Sequence, residues 1–156
     1  MSELGHFLKK NNRKARAMWG LMDYQNMIEH LSLILEVSTS QRPAELKVTP
    51  EQAVKLKRIM IESDRPMPEG IKSELLPKNE ALPHIMEGIS ESIDFFEQNL
   101  DLFLTMARKE PNKQTMHPTM GLLKMTEWKV LHFKHFVHHF KQFNLQATSE
   151  IAQTFK

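Results

Sequence analysis

The 156 residues suit one compact domain, and the balance of 40% hydrophobic and 26% charged residues predicts that this domain, residues 1–156, folds around a core. Lys and Arg total 21 against 19 for Asp and Glu, so no global field attracts nucleic acid or an anionic membrane, and neither is expected as a partner. Cysteine is absent and no apolar run has the length of a signal peptide or a membrane span, which excludes disulfides and leads us to expect a cytoplasmic protein.

Helical spacing of the apolar residues predicts an all-α fold. No stretch alternates apolar and polar residues for long enough to be a strand. A short first helix is expected over about Glu3 to Lys10. Asp23 is suited to cap a second helix, whose apolar face includes Met27 and Ile34. The sequence Thr49-Pro50-Glu51-Gln52 is typical of a capping box and predicts a third helix that runs to about Glu62.

The segment from Ser63 to Pro83 contains four prolines and Gly70, which predicts an irregular crossover. A long core-facing helix follows from about Leu82 to Arg108. A loop is then marked by Pro111, His117-Pro118 and Gly121. After it, Thr126 is expected to cap a last helix from Glu127 to about Asn144.

Four of the eight histidines, His132, His135, His138 and His139, fall within this last helix. At about 100° per residue, His135 and His139 lie one turn apart on one stripe, which Gln142 and Trp128 share. His132 and His138 flank the stripe on either side. The stripe borders the apolar face of the helix, so we expect it to point into the bundle.

A metal ion is one way to satisfy several imidazoles in a core, where an unpartnered imidazole is costly. The alternative is that these histidines are ordinary polar residues at a helix surface. A third ligand would come from a facing helix, and His30 lies on or next to the buried face of the second helix. A lone histidine there can equally be a satisfied core residue, and His117 can either border the site or cap a turn.

Paired motifs at the two ends of the chain resemble a known family. The segment from His135 to Gln142 is similar to the His-x-x-x-His and Gln signature that closes the last helix of DinB-like proteins. Further motifs resemble one branch of that superfamily, known only as a domain of unknown function: Trp19-Gly20-Leu21-Met22, His117-Pro118-x-x-Gly121 and Glu127-Trp128. The resemblance covers about residues 18–145.

This resemblance implies a DinB-like four-helix bundle in which His30, His135 and His139 bind a divalent metal, zinc or nickel. Some members of the superfamily use a low-molecular-weight thiol in transfer or isomerisation. The Arg-Gly-Gln that many of them carry after the second histidine is Phe140-Lys141-Gln142 here, which counts against thiol binding.

The first helix is shorter than in the family, which leaves the bundle incomplete unless a partner chain or the tail from Gln146 covers the gap. Exposed apolar surface of this kind is typically buried by a partner. We therefore expect a homodimer.

Two functions fit the sequence. Three His ligands leave a coordination position open, as in catalytic metal sites, which predicts a metal-dependent hydrolase or a thiol-dependent transferase acting on a small electrophile. Glu127 or His132 is then the candidate proton acceptor, and Gln142, His117 and Trp128 are candidates to orient a ligand or line a pocket. The alternative is a non-catalytic, metal-stabilised bundle that acts as a dimer or partner-binding module, which 11 Met would suit. Because neutral imidazole is the ligand, protons compete with the metal, and we expect the metal affinity to fall as the pH drops through the region near 6.

Overall fold

A computed structural model describes residues 1–11, 15–69 and 80–156, and over these residues the fold is mainly helical. The helices are α1 (Glu3–Asn11), α2 (Tyr24–Ser38), α3 (Pro50–Lys57), α4 (Ile89–Lys109), α5 (Met125–Gln142) and α6 (Thr148–Thr154), and the strands are β1 (Gln114–His117) and β2 (Gly121–Lys124). No helix in this part of the chain combines the length and the apolar character needed to cross a membrane.

The predicted N-cap at Asp23 and the predicted capping box at Thr49 are both confirmed, and Asp23 also forms a capping box. The Asp23 carboxylate accepts the backbone N–H of Asn26 at 2.8 Å, and the Asn26 side chain accepts the N–H of Asp23 in return. Thr49 and Gln52 exchange the same pair of bonds at the start of α3. The first helix also lies where the pattern placed it, while the predicted third helix ends in a π-helical turn, Arg58–Glu62.

The long helix begins later than predicted, at Ile89 and not near Leu82. The reason is a tertiary contact: the backbone N–H groups of Ile85 and Met86 donate to the carboxylate of Glu29 on α2, at 2.8 and 3.0 Å. These bonds hold the preceding segment outside any helix. Part of the predicted crossover, residues 70–79, lies outside the described residues.

The expectation that the chain has no strand is wrong. Between Gln114 and Lys124 it forms an antiparallel hairpin, in which Thr115 pairs with Leu123 and His117 with Gly121. Each strand has only four residues, too few for an alternating pattern to stand out. The hairpin leads directly into α5, which begins at Met125 after Lys124, so Thr126 is not the cap.

The core lies between α2, α4 and α5, and α1 packs against α4. The chain beyond Gln146 forms α6, an element that the sequence pattern did not predict. Ile151 and Phe155 bury their side chains in the same core, and α6 packs against both α1 and α5. The tail therefore packs on α1 within the same chain. The shortness of the first helix is thus not, by itself, a reason to expect a homodimer.

Candidate metal centre

Three histidines from two helices meet inside the molecule. His30 comes from α2, and His135 and His139 come from successive turns of α5. The Nε2 atom of His135 lies 2.9 Å from the Nε2 of His30 and 2.9 Å from that of His139. His135 and His139 are buried and His30 is partly buried, so the cluster sits at the edge of the core.

The spacing of the three ligand nitrogens suits a divalent transition metal, since all three lie within 4.8 Å of one another. In a tetrahedral site with Zn–N bonds of about 2.0 to 2.1 Å, the nitrogens are about 3.4 Å apart. The two short separations of 2.9 Å therefore need to open by about 0.5 Å to accept the ion. Two of the three separations thus differ by only about 0.5 Å from the spacing that a bound ion requires.

All three imidazoles are in the neutral form that binds metal. Burial, followed by the charge of His138, lowers the pKa of His30 to about 4. Burial lowers the pKa of His139 to about 3, with His30 contributing in the same direction. Burial and the neighbouring His139 and His30 hold the pKa of His135 well below its ordinary value. Each of the three imidazoles thus carries only one ring proton at neutral pH, and none has to be released when an ion binds.

Gln142 fixes which nitrogen of His139 faces the cluster. Its amide Nε2 donates to the backbone carbonyl of Trp19 at 2.8 Å, so its Oε1 must be the atom 2.8 Å from His139 Nδ1. An amide oxygen only accepts, and Nδ1 is therefore the protonated nitrogen. This leaves the lone pair of His139 on Nε2, directed to the shared position.

The loop before α2 is fastened to the same glutamine. The N–H of Met18 donates to the Gln142 carbonyl at 2.7 Å. Gly20 has φ +81°, and a Cβ atom there would lie 2.8 Å from Gln142 Nε2. Only glycine combines this backbone conformation with so close an approach. The Trp19-Gly20 motif thus helps to hold the orientation of His139.

His138 does not join the cluster. It is half-buried, and its ring meets the edge of Trp19 at a centroid distance of 6.1 Å. Burial lowers its pKa, although a hydrogen bond that its ring donates to the Met67 backbone carbonyl and the charge of Glu69 act in the opposite direction. It lies at the margin of the site, where the helical geometry placed it.

His132 lies in the aromatic core and outside the group of convergent nitrogens. It is 0% exposed, its ring stacks on Trp128, and Phe103 meets it edge-on at 4.5 Å. Neither ring nitrogen has a hydrogen-bond partner among the described residues. Burial lowers its pKa to about 3, so it is a poor acceptor of protons at neutral pH.

The hairpin fixes two other predicted residues in structural contacts. The Trp128 Nε1–H donates to the Thr115 hydroxyl at 2.8 Å, and that hydroxyl donates to the Ser38 carbonyl. His117 packs against Trp128, and its Nδ1 accepts the N–H of Thr119 at 3.1 Å. His117 therefore caps the hairpin turn, which is one of the two roles that the sequence allowed.

Glu127 is engaged at the start of α5. It accepts the backbone N–H of Lys124 at 2.8 Å and forms an ion pair with Lys57 at 2.9 Å. The residue lies two helical turns before His135, about 12 Å along the helix axis. The structure does not bring Glu127 to the three histidines.

The sequence analysis missed Glu29, the residue beside His30. Its carboxylate is 2% exposed and accepts hydrogen bonds from Gln25, Ser92, and the backbone of Ile85 and Met86. Burial raises its pKa, but these four bonds together lower it below the ordinary value. No local pattern marks such a residue, because three of its four donors lie 56 to 63 residues away in the chain.

Comparisons of this chain with models of protein families, with curated proteins and with solved structures give no match. The site is therefore interpreted from its own chemistry. Three buried or partly buried histidines lie close enough together to bind one metal ion.

Proposed function

We propose that the protein binds one divalent metal ion, zinc or nickel, on His30, His135 and His139, with at least one coordination position left open. The observation that carries this proposal is the convergence of the three Nε2 atoms, with the tautomer of His139 set by Gln142. The convergent group contains no carboxylate and no fourth histidine in the part of the chain that the structure describes. A three-ligand site is typical of catalytic metals, whereas structural zinc sites are usually closed by four protein ligands.

A divalent ion held there supplies Lewis acidity and brings the pKa of a bound water or thiol close to neutral. We propose that this chemistry serves a metal-dependent hydrolase or a thiol-dependent transferase acting on a small electrophile. Within the chain, Gln142 orients His139, and the partial exposure of His30 leaves one side of the cluster unburied. Glu127 and His132 have no part in this proposal, since the first is paired with Lys57 and the second is enclosed by aromatic rings.

We also propose that the chain is a member of the DinB-like superfamily. Support comes from the contact between the motif that begins at Trp19 and the motif from His135 to Gln142. The side chain of Gln142 is bonded both to the Trp19 carbonyl and to the ring of His139, one of the proposed metal ligands. One candidate ligand on α2 and two on α5, one turn apart, agree with the ligand pattern that the resemblance implies.

A non-catalytic role is the second candidate, and one observation favours it. The ligands come from two helices that are far apart in sequence, His30 on α2 and His135 on α5, so a bound ion would cross-link the core. An ion that binds only the folded state stabilises that state by mass action. Both candidates require the same three histidines and differ only in whether a ligand exchanges at the open position.

Metal binding is tested with the full chain, purified without a His-tag, stripped with a chelator and reconstituted with zinc or nickel. Wild type should hold one ion per chain by elemental analysis. His135→Ala, His139→Ala and His30→Ala should each lose it, while the matched control His138→Ala should keep it. Loss in the His138 variant with retention in the His139 variant would show that another face of α5 holds the ion.

The open position is tested with cobalt(II) in place of the natural metal. Addition of azide or a small thiol should change the visible absorption of the cobalt protein, because an exchangeable ligand is replaced. A spectrum that stays unchanged, in a protein shown to hold one cobalt ion, would favour the non-catalytic role.

A further inference from the structure

A second candidate site lies in a cavity of about 380 Å³ beside the loop that precedes α2. The cavity is lined by that loop, by the first residues of α2, and by His84 and Ile89, and none of the three clustered histidines reaches it. Its volume falls at the lower end of the range of about 300 to 1,000 Å³ that is typical of small-molecule sites. It is therefore large enough for a small ligand.

Most of the lining is apolar. The walls include Leu21, Met22, Ile89 and Phe143. Leu21 is 56% exposed although it is a large aliphatic side chain. A ligand with a hydrocarbon body would cover this surface, and removing apolar area from water would favour its binding.

One cationic side chain in the lining, that of Arg16, has no anionic partner among the described residues. Arg16 donates through Nη1 to the carbonyl of Ala15 at 3.2 Å, and among residues 1–11, 15–69 and 80–156 no carboxylate forms an ion pair with it. A guanidinium group presents paired N–H donors in a geometry that matches a carboxylate. Arg16 is thus available to bind an anionic group of a ligand.

The carboxylate that the cavity does contain, on Asp23, is already satisfied. One of its oxygens accepts the N–H of Asn26 at 2.8 Å, and the other lies 2.7 Å from Nε2 of His84. An ionised carboxylate only accepts, so this contact places an N–H of the His84 ring on Nε2. Asp23 thus orients His84 and is not free to neutralise Arg16.

We propose that this cavity binds a small organic monocarboxylate with an apolar body. The carboxylate pairs with Arg16 and lies near His84, and the hydrocarbon part packs against Leu21 and Phe143. A single carboxylate matches the single guanidinium, because Asp23 already accepts hydrogen bonds from Asn26 and His84. Nothing in this proposal depends on the metal centre.

Binding is tested by titration calorimetry and NMR on the full chain, with hexanoate and benzoate as probes. The matched neutral probes are hexanamide and benzamide, which keep the shape and remove the charge. We expect the carboxylates to bind at least ten-fold more tightly than the amides. Arg16→Gln should weaken carboxylate binding by at least ten-fold and His84→Gln by a smaller factor, whereas Arg42→Gln, at an arginine paired with Glu36, should bind as wild type does.

The metal-site variant His135→Ala separates this proposal from the previous one. Carboxylate binding that persists in His135→Ala, together with its loss in Arg16→Gln, supports the cavity. Binding that disappears in His135→Ala would place the carboxylate at the metal and overturn the proposal. Equal affinities for acid and amide, or an Arg16→Gln protein that is folded by circular dichroism and binds as tightly as wild type, would overturn it as well.

Discussion

Replacement of Gln142 by Ala is expected to weaken metal binding although Gln142 does not touch the ion. The change removes the acceptor that lies 2.8 Å from His139 Nδ1 and the donor to the Trp19 carbonyl. Gln142 is only 4% exposed, so water has little access to replace either bond. His139 is then free to rotate or to change its tautomer, and the lone pair is lost from Nε2 in part of the population.

The size of the effect follows from the two lost contacts. Removing a partner that orients a metal ligand typically lowers the affinity by about 10 to 100-fold. That range corresponds to about 1.4 to 2.8 kcal/mol of binding free energy. It agrees with the cost of about 1 to 3 kcal/mol for leaving a buried donor such as His139 Nδ1–H without an acceptor.

The affinity is measured by competition with a chromophoric zinc chelator at pH 7.5. The exposed Gln146→Ala provides a control for the loss of a glutamine from the same region. Gly20→Ala should act in the same direction as Gln142→Ala, because its Cβ would displace the Gln142 amide. A Gln142→Ala protein that binds zinc within two-fold of wild type would refute the orienting role of Gln142.

Two further predictions concern buried groups near the site. Glu29→Gln should lower the free energy of unfolding at pH 7 by about 1 to 3 kcal/mol, because an amide cannot accept every bond that the carboxylate accepts. The lowered pKa of Glu29 gives stability that is present above about pH 4.3 and is lost as the pH falls through the folded pKa, so the difference from wild type in urea unfolding should shrink in acid. An equal difference at pH 7 and pH 3 would contradict this. So would an equal loss of stability in the control Glu45→Gln, at an exposed glutamate. His132→Phe should raise the free energy of unfolding by about 1 kcal/mol by removing two unpartnered buried nitrogens, without loss of metal. A clear loss of stability in thermal unfolding would show instead that the His132 nitrogens are satisfied in solution.

The features that the sequence predicted correctly are those decided by neighbours in the chain. The N-cap at Asp23 and the capping box of Thr49 with Gln52 each involve bonds over only three residues, so residue type and spacing were enough. The placement of His135 and His139 on one stripe likewise follows from helix geometry alone. The meeting of His30 with that stripe was a hypothesis based on its place near the buried face of the second helix and strengthened by the family resemblance, and the structure brings the three together.

The features that it did not predict are set by distant contacts. The start of α4 depends on Glu29, which bonds the backbone of Ile85 and Met86 in a non-helical segment of bends. The hairpin depends on the Thr115 hydroxyl, which lies between Trp128 and the Ser38 carbonyl. Glu29 lies 56 residues from Ile85, and Ser38 lies 77 residues from Thr115, so these partners fall outside the stretch of sequence in which hydrophobic periodicity is assessed.

The burial that keeps the three histidines neutral also lowers the pH at which protons begin to compete with the metal. Each ligand has a lowered pKa, to about 4 for His30 and about 3 for His139, so protons compete with the metal only in that acidic region. Zinc affinity of the folded protein should therefore be nearly constant from pH 7.5 to 5.5, and not fall near pH 6 as unperturbed histidines would require. The metal-free protein should instead lose stability over this range, because the unfolded chain takes up protons at its histidines below about pH 6.5 and the folded chain does not. Zinc competition and urea unfolding at pH 7.5, 6.5 and 5.5 measure the two effects. A zinc affinity that falls by ten-fold or more between pH 6.5 and 5.5, in protein that is still folded, would contradict this reasoning. It would mean that the three imidazoles are more exposed to water than they are in the structure.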